Sequence, residues 1–109
     1  MEQLVELARR LGKLMAAHER TVLMKKAQEA VNGDEEAKKL IEAYQQQAKK
    51  IQELERQNKP IEVDDKHRLR DIEQKISLNP HLQELTRRQV DFIEMSRKVK
   101  QAIDEQLEV

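Results

Sequence analysis

The chain has 109 residues, with 21 Lys and Arg against 21 Asp and Glu, no cysteine, and only Tyr44 and Phe92 as aromatics. Its length corresponds to about one domain, and its balanced charge argues against a duplex or an anionic membrane surface, which basic domains usually bind. The scarcity of aromatics argues against base stacking, and the lack of cysteine excludes disulfides, zinc–thiolate sites and iron–sulfur ligation.

The N-terminus predicts no targeting or membrane segment. The stretch MEQLVELARRLGK spreads its charges and has no unbroken apolar run, unlike a signal peptide. No stretch approaches the 18 or more apolar residues of a membrane span. We therefore expect a cytoplasmic protein without membrane insertion. Charged residues make up 39% of the chain and apolar residues 38%, a composition close to that of disordered chains. The spacing of the apolar residues therefore has to show whether the chain folds.

An apolar stripe near the N-terminus follows helical spacing and predicts a first helix over about 3–18. The stripe consists of Leu4, Leu7, Ala8, Leu11, Leu14 and Met15. Val5, Gly12 and Ala16 flank it with small or slim side chains, where a neighbouring backbone could approach closely. Thr21 is the predicted cap of a second helix over 22–31, although the two helices could equally form one bent helix.

The tripeptide Asn32-Gly33-Asp34 predicts a helix end followed by a helix start. Gly33 suits a left-handed conformation after a helix, and Asp34 is the expected cap of a third helix over 35–57. One face of this helix is apolar: Ala37, Leu40, Ile41, Tyr44, Ala48, Ile51 and Leu54. The opposite face carries Lys38, Lys39, Lys49 and Lys50, interpreted as a solvated face because glutamates intersperse the charge.

Two proline-containing segments delimit the remaining helices. Pro60 should end the third helix, and Asp64 or Asp65 should open a fourth over 65–78. Asn79-Pro80 is a favoured cap for a fifth helix over 80–107. The fourth stripe comprises Leu69, Ile72 and Ile76, and the fifth comprises Leu82, Leu85, Phe92, Ser96, Val99, Ile103 and Leu107.

No window alternates with a period of two residues, so the predicted fold is all-α. Long antiparallel helices should form a helical hairpin or thin bundle, in one domain spanning 1–109 and completed by oligomerisation. Polar residues interrupt the long seams at Gln47, Gln89 and Ser96. Such interruptions can fix the register between helices at some cost in stability.

The sequence predicts no catalytic, metal or cofactor site, so we expect a protein that is not an enzyme. His18, His67 and His81 lie far apart, and only Asp71 stands at ligand spacing from His67. Two mixed ligands on a surface helix are rarely enough for a metal. No serine lies in a nucleophile-elbow sequence, and two glycines cannot make a phosphate-binding loop.

Three segments carry a resemblance to a known family: KKAQEAVNGDEEAKKLIEAYQQQ, NKPIE and ISLNPHLQELTRRQVDFIEM. Over about residues 11–107 the chain resembles the YlbF/YmcA-like family of small bacterial helical regulators. In that family an Asp opens the long central helix, as Asp34 would, and an Asn precedes the last helix, as Asn79 would. The resemblance implies an oligomerising adaptor in complexes that influence RNA processing by a membrane-associated endonuclease. Some members bind iron–sulfur clusters through cysteines, which this chain lacks.

The resulting functional hypothesis is a non-catalytic adaptor that forms homo-oligomers, with a dimer favoured, and binds other proteins through helix faces. Family paralogues or an RNA-processing endonuclease are the partners that the resemblance implies, without direct nucleic-acid contact. The last helix has an apolar arc wider than one neighbour covers, which a folded-back first helix or a second chain could bury. The candidate interface is Val90, Phe92, Ile93, Met95, Val99 and Ile103.

An alternative hypothesis is an RNA-associated protein that uses clusters of basic residues. These clusters are Lys49-Lys50, Arg87-Arg88 and Arg97-Lys98-Lys100. Binding of this kind should weaken steeply with salt, because it depends on neutralising phosphates. RNA binding at low and at physiological salt therefore distinguishes the two hypotheses.

Overall fold

The computed structural model describes residues 1–108, which form five α-helices and no strand. The helices are α1 (Glu2–Ala17), α2 (Glu19–Asn32), α3 (Glu35–Arg56), α4 (Val63–Leu78) and α5 (Pro80–Leu107). The prediction of an all-α fold is confirmed for this part of the chain. None of the described helices is both long and apolar enough to span a membrane.

Two of the predicted helix caps are confirmed. The Asp34 carboxylate accepts a hydrogen bond from the Ala37 amide at 3.1 Å, which closes the first turn of α3. The Asn79 side-chain oxygen accepts one from the Leu82 amide at 3.0 Å and so caps α5. Both caps depend on a side chain and an amide three residues later, which is why the local sequence predicted them.

Two other predicted helix starts were wrong. α2 begins at Glu19 because His18 caps it: the His18 carbonyl and Nδ1 accept hydrogen bonds from the amides that follow. The Thr21 hydroxyl instead donates to the Met15 carbonyl at 2.5 Å, in the last turn of α1. α4 begins at Val63, ahead of both predicted caps, and Asp65 is buried against α3.

The left-handed residue that ends a helix is Asn58, and not Gly33 as predicted. Asn58 has φ 56°, and no described glycine has a positive φ. The Asn58 amide donates to the Glu55 carbonyl, and the Lys59 amide donates to the Leu54 carbonyl. These two bonds form a Schellman motif, in which Asn is the usual substitute for Gly. α3 therefore ends before Pro60 acts on the backbone.

Residues 30–84 form one compact unit, which contains an antiparallel hairpin of α3 and α4. Gln47, in the second half of α3, bonds to Asp65 at the start of α4. Asn79, just beyond the end of α4, bonds to Asp34 at the start of α3. Contacts at both ends fix the two helices side by side in opposite directions.

Residues 1–29 together with the chain from Leu85 onward form the other compact unit. Within this unit the Arg20 guanidinium of α2 donates to the Asp91 carbonyl of α5 at 3.1 Å. No residue of α1 is buried. The last turns of α5, from Lys100 to Leu107, are also exposed throughout. This unit therefore leaves much of its helical surface uncovered.

Candidate protein-contact surfaces

A buried polar cluster joins the two helices of the hairpin. The Gln47 amide nitrogen donates to the Asp65 carbonyl at 2.9 Å, and Lys50 Nζ lies 2.8 Å from the Asp65 carboxylate. Gln47 is only 6% exposed. The hydrogen bond from Lys50 is the main cause that lowers the pKa of Asp65, and Gln47 adds to it. The polar interruption at Gln47 therefore fixes the α3–α4 register, and Lys50 does not belong to a purely solvated face.

A second polar cluster links the caps of α3 and α5. Asp34 lies 2.9 Å from His81 Nδ1 and 3.4 Å from the Asn79 amide nitrogen. The His81 hydrogen bond is the main cause that lowers the pKa of Asp34, followed by the bond from the Ala37 amide. No local pattern predicted the contact between His81 and Asp34, because 47 residues separate the two side chains.

The Asp34 and Asp65 carboxylates both make hydrogen bonds that stabilise helices. The described residues contain no group of three or more His, Cys, Asp or Glu arranged to hold a metal. His67 and Asp71, the pair at ligand spacing, are both exposed on α4. A general acid usually needs a raised carboxyl pKa, whereas Asp34 and Asp65 have lowered ones. The chemistry of both clusters is that of structural hydrogen bonding.

The candidate interface on α5 divides into exposed and half-buried residues. Val90 is 58% exposed and Ile93 62% exposed, and Ile103 is exposed as well. Phe92, Met95 and Val99 are half-buried. Val90 and Ile93 are three residues apart, so they share one side of α5. The chain itself leaves this side uncovered.

A second apolar surface lies on α1. Leu4 is 66% exposed and Leu14 72% exposed, and Leu7 is exposed between them. Leu11 and Met15, on the same stripe, are half-buried. The sequence predicted this stripe, but periodicity alone could not show that the rest of the chain leaves it open.

Some residues of the basic clusters in the alternative hypothesis pair with carboxylates. Lys50 pairs with Asp65, as described above. On α5, Lys98 Nζ lies 3.2 Å from Glu94, and Lys100 Nζ lies 2.9 Å from Asp104. A phosphate group would have to compete with these carboxylates for Lys50, Lys98 and Lys100, which argues against phosphate binding at these three residues.

The described helices leave apolar stripes uncovered, and their ionised side chains take part in helix caps and ion pairs. These features define a class of small helical proteins whose surfaces are suited to binding other proteins. The family described as "Control of competence regulator ComK, YlbF/YmcA" matches residues 4–108, and the chain belongs to this family of regulators. A search among curated proteins found no match.

The fold is also similar to a solved structure, that of one chain in the X-ray crystal structure of Bacillus subtilis RicA in complex with RicF. The TM-score is 0.75 at 18% sequence identity, and the alignment covers 97% of each chain. At 18% sequence identity the similarity shows a shared fold and nothing more. That fold extends over nearly the whole length of both chains.

Proposed function

We propose that this protein is a non-catalytic adaptor that binds other protein chains, including a second copy of itself, through the apolar faces of α1 and α5. The observation that carries the proposal is the exposure of these faces in a small chain. Monomeric soluble proteins rarely expose contiguous apolar stripes, and such stripes commonly mark contact sites. The family's description as a regulator and the RicA–RicF complex of a protein with the same fold support a role in protein assembly.

The dimer is the assembly we favour, because twofold homo-oligomers are the most common kind. Val90, Phe92, Ile93, Met95, Val99 and Ile103 remain the proposed contact face on α5. Ile93 is the most informative of these for a mutation, since its exposure means that a charge there should not disturb the fold of one chain. Phe92→Asp would be ambiguous by comparison, because Phe92 is half-buried.

Light scattering at micromolar concentration tests the proposal. We expect a mass above that of the monomer for the natural chain, and a lower mass for Ile93→Asp at unchanged helicity. Gln101→Asp, at an exposed polar position of the same helix, is the matched control and should leave the mass unchanged. A monomeric natural chain would contradict self-association. An oligomer unaffected by Ile93→Asp would place the contact away from this side of α5.

A role in RNA processing, as the family resemblance implies, would operate through protein partners. RNA binding that survives physiological salt would favour the alternative hypothesis instead. The relevant comparison is a single-stranded RNA titrated at low and at physiological salt, because phosphate contacts weaken steeply over that range.

A further inference from the structure

The chain has three asparagines, and they differ in the residue that follows them. They are Asn32 before Gly33, Asn58 before Lys59, and Asn79 before Pro80. An asparagine cyclises when the backbone nitrogen of the next residue attacks its side-chain carbonyl carbon, which is one reason why asparagine is a thermolabile residue. The next residue and the local structure therefore decide which asparagine can react.

The structure prevents this reaction at Asn79 and hinders it at Asn58. Pro80 has no backbone N–H to lose, and the buried Asn79 side chain is held in the α5 cap. At Asn58 the attacking nitrogen would be that of Lys59, whose amide donates to the Leu54 carbonyl at 2.9 Å. The Lys59 side chain also crowds the path of attack.

The surroundings of Asn32 are more open. Asn32 is the last residue of α2, and both Asn32 and Gly33 are exposed. Gly33 has no Cβ to crowd the attack. The helical backbone directs the next nitrogen away from the side-chain carbonyl, so the last turn of α2 has to open before the two atoms meet. Helix ends fray, and such local opening costs little free energy compared with global unfolding.

We propose that Asn32 is a site of spontaneous deamidation, which converts it to aspartate and isoaspartate. The Gly33 nitrogen bonds to the side-chain carbonyl carbon of Asn32 and closes a succinimide ring. The side-chain nitrogen leaves as ammonia and carries away the proton of the Gly33 N–H. Water then opens the ring at either carbonyl, which gives aspartate or isoaspartate. One water is consumed, one ammonia is released, and nothing is oxidised or reduced.

The isoaspartate product should weaken the junction between α2 and α3. It adds one carbon to the backbone between Val31 and Asp34, where the Asp34 amide donates to the Val31 carbonyl at 3.0 Å. Val31 is 1% exposed and cannot shift without losing buried contacts. A displaced Asp34 would lose its cap on α3 and its contact with His81.

Both products also add a negative charge at the C-terminal end of α2. The helix dipole disfavours a carboxylate at that end. The aspartate product has this effect alone, whereas isoaspartate combines it with the altered backbone. We therefore expect isoaspartate to be the more damaging product.

Incubation of the full-length protein at mildly alkaline pH and physiological temperature tests the site. Peptide mass spectrometry should show the mass gain of deamidation growing at Asn32, with Asn58 and Asn79 unchanged. A methyltransferase that esterifies isoaspartyl carboxylates should label the incubated protein and leave the fresh protein unlabelled. If Asn32 stays intact in the folded protein while it reacts in a urea-unfolded sample, α2 protects the site and the proposal is wrong.

Substitution of Gly33 tests the route. Gly33→Ala keeps the asparagine and should slow the reaction about tenfold, which corresponds to a barrier raised by about 1.4 kcal/mol. No described glycine has a positive φ, so the backbone accepts alanine here. Asn32→Gln should abolish the labelling, because its longer side chain would have to close a larger ring. Equal rates of isoaspartate formation in Gly33→Ala and the natural chain would contradict attack by the Gly33 nitrogen.

Urea unfolding tests the consequence for the junction. The isoaspartate form of the incubated protein should unfold at a lower urea concentration than fresh Asn32→Asp. This variant carries the added charge on an unaltered backbone, so the difference between the two samples reports the inserted carbon. Equal midpoints would show that the α2–α3 junction tolerates the longer backbone, and that part of the proposal would be wrong.

Discussion

The α3 helix of the α3–α4 hairpin and α1 are similarly amphipathic, but only α3 packs against another helix of its compact unit. The hairpin buries Ala37 and Ile72 and fixes its register through Gln47 and Asp65. α1 buries nothing and makes ion pairs only within itself, from Glu6 to Arg9 and Arg10.

In this chain, a buried polar contact distinguishes a helix that is packed within its own chain better than an apolar stripe does. A helix whose stripe is purely apolar can slide along a neighbour or exchange it for another. A buried amide that must reach one particular carbonyl permits only one arrangement, because leaving it unpaired costs free energy. α1 has no such residue, which suits a surface that engages another chain.

The largest expected effect comes from the hairpin core. Ile72→Ala should lower the free energy of unfolding by about 2–5 kcal/mol, because it removes buried carbon atoms and leaves a cavity. Leu14→Ala in α1 is the control and should change it by less than about 0.5 kcal/mol in a monomeric sample. Urea unfolding followed by circular dichroism measures both. Equal losses of stability in the two variants would contradict the contrast between the hairpin and α1. A single cooperative transition would support one folding domain over 1–109.

A smaller loss should follow from the register contact itself. Gln47→Leu keeps the size of the side chain but leaves the Asp65 carbonyl without its amide donor, which should cost about 1–3 kcal/mol. Gln46→Leu, at the exposed neighbouring position, should be almost neutral. A neutral Gln47→Leu would show that apolar packing alone sets the register of the hairpin.

Part of the pH dependence of stability should originate in the hairpin unit. The pKa of Asp34 is lowered mainly by His81, and that of Asp65 mainly by Lys50, from an ordinary value of 3.8. Lowered carboxyl pKa values add stability above the ordinary value, and that stability is lost as the pH falls through the folded-state pKa values. Unfolding measured from pH 7 to pH 2 should show the decline below about pH 4. The Asp34→Asn, Asp65→Asn double variant should be less stable at pH 7 and flatter in acid, whereas Asp64→Asn should retain the decline.

The smallest expected effect is a gain in helix stability, and it concerns α1. Gly12→Ala should raise the helicity of α1, with a gain of up to about 1 kcal/mol, because the new Cβ meets open space within one chain. Helicity of a dilute, monomeric sample is the measurement. A fall in helicity would contradict the open surroundings of Gly12.

The sequence predicted the helical fold and its main caps because both depend on short-range relations. A stripe at helical spacing and an Asp or Asn three residues before its amide partner are visible in the chain itself, as at Asp34 and Asn79. The predictions failed where a side chain had two possible local roles. Thr21 and Asp65 both resemble helix caps, but one bonds back into α1 and the other packs on α3.

Only the tertiary structure decided which residues meet across the chain and which faces stay open. Lys50 and Asp65 are 15 residues apart on different helices, and Asp34 and His81 are 47 apart, so no helical spacing relates either pair. The stripe of α1 is the more continuous of the two in sequence, yet it has no buried residue, whereas the stripe of α4 buries Ile72. Periodicity identifies the face of a helix that should leave water, but which surface covers it depends on the positions of the other helices.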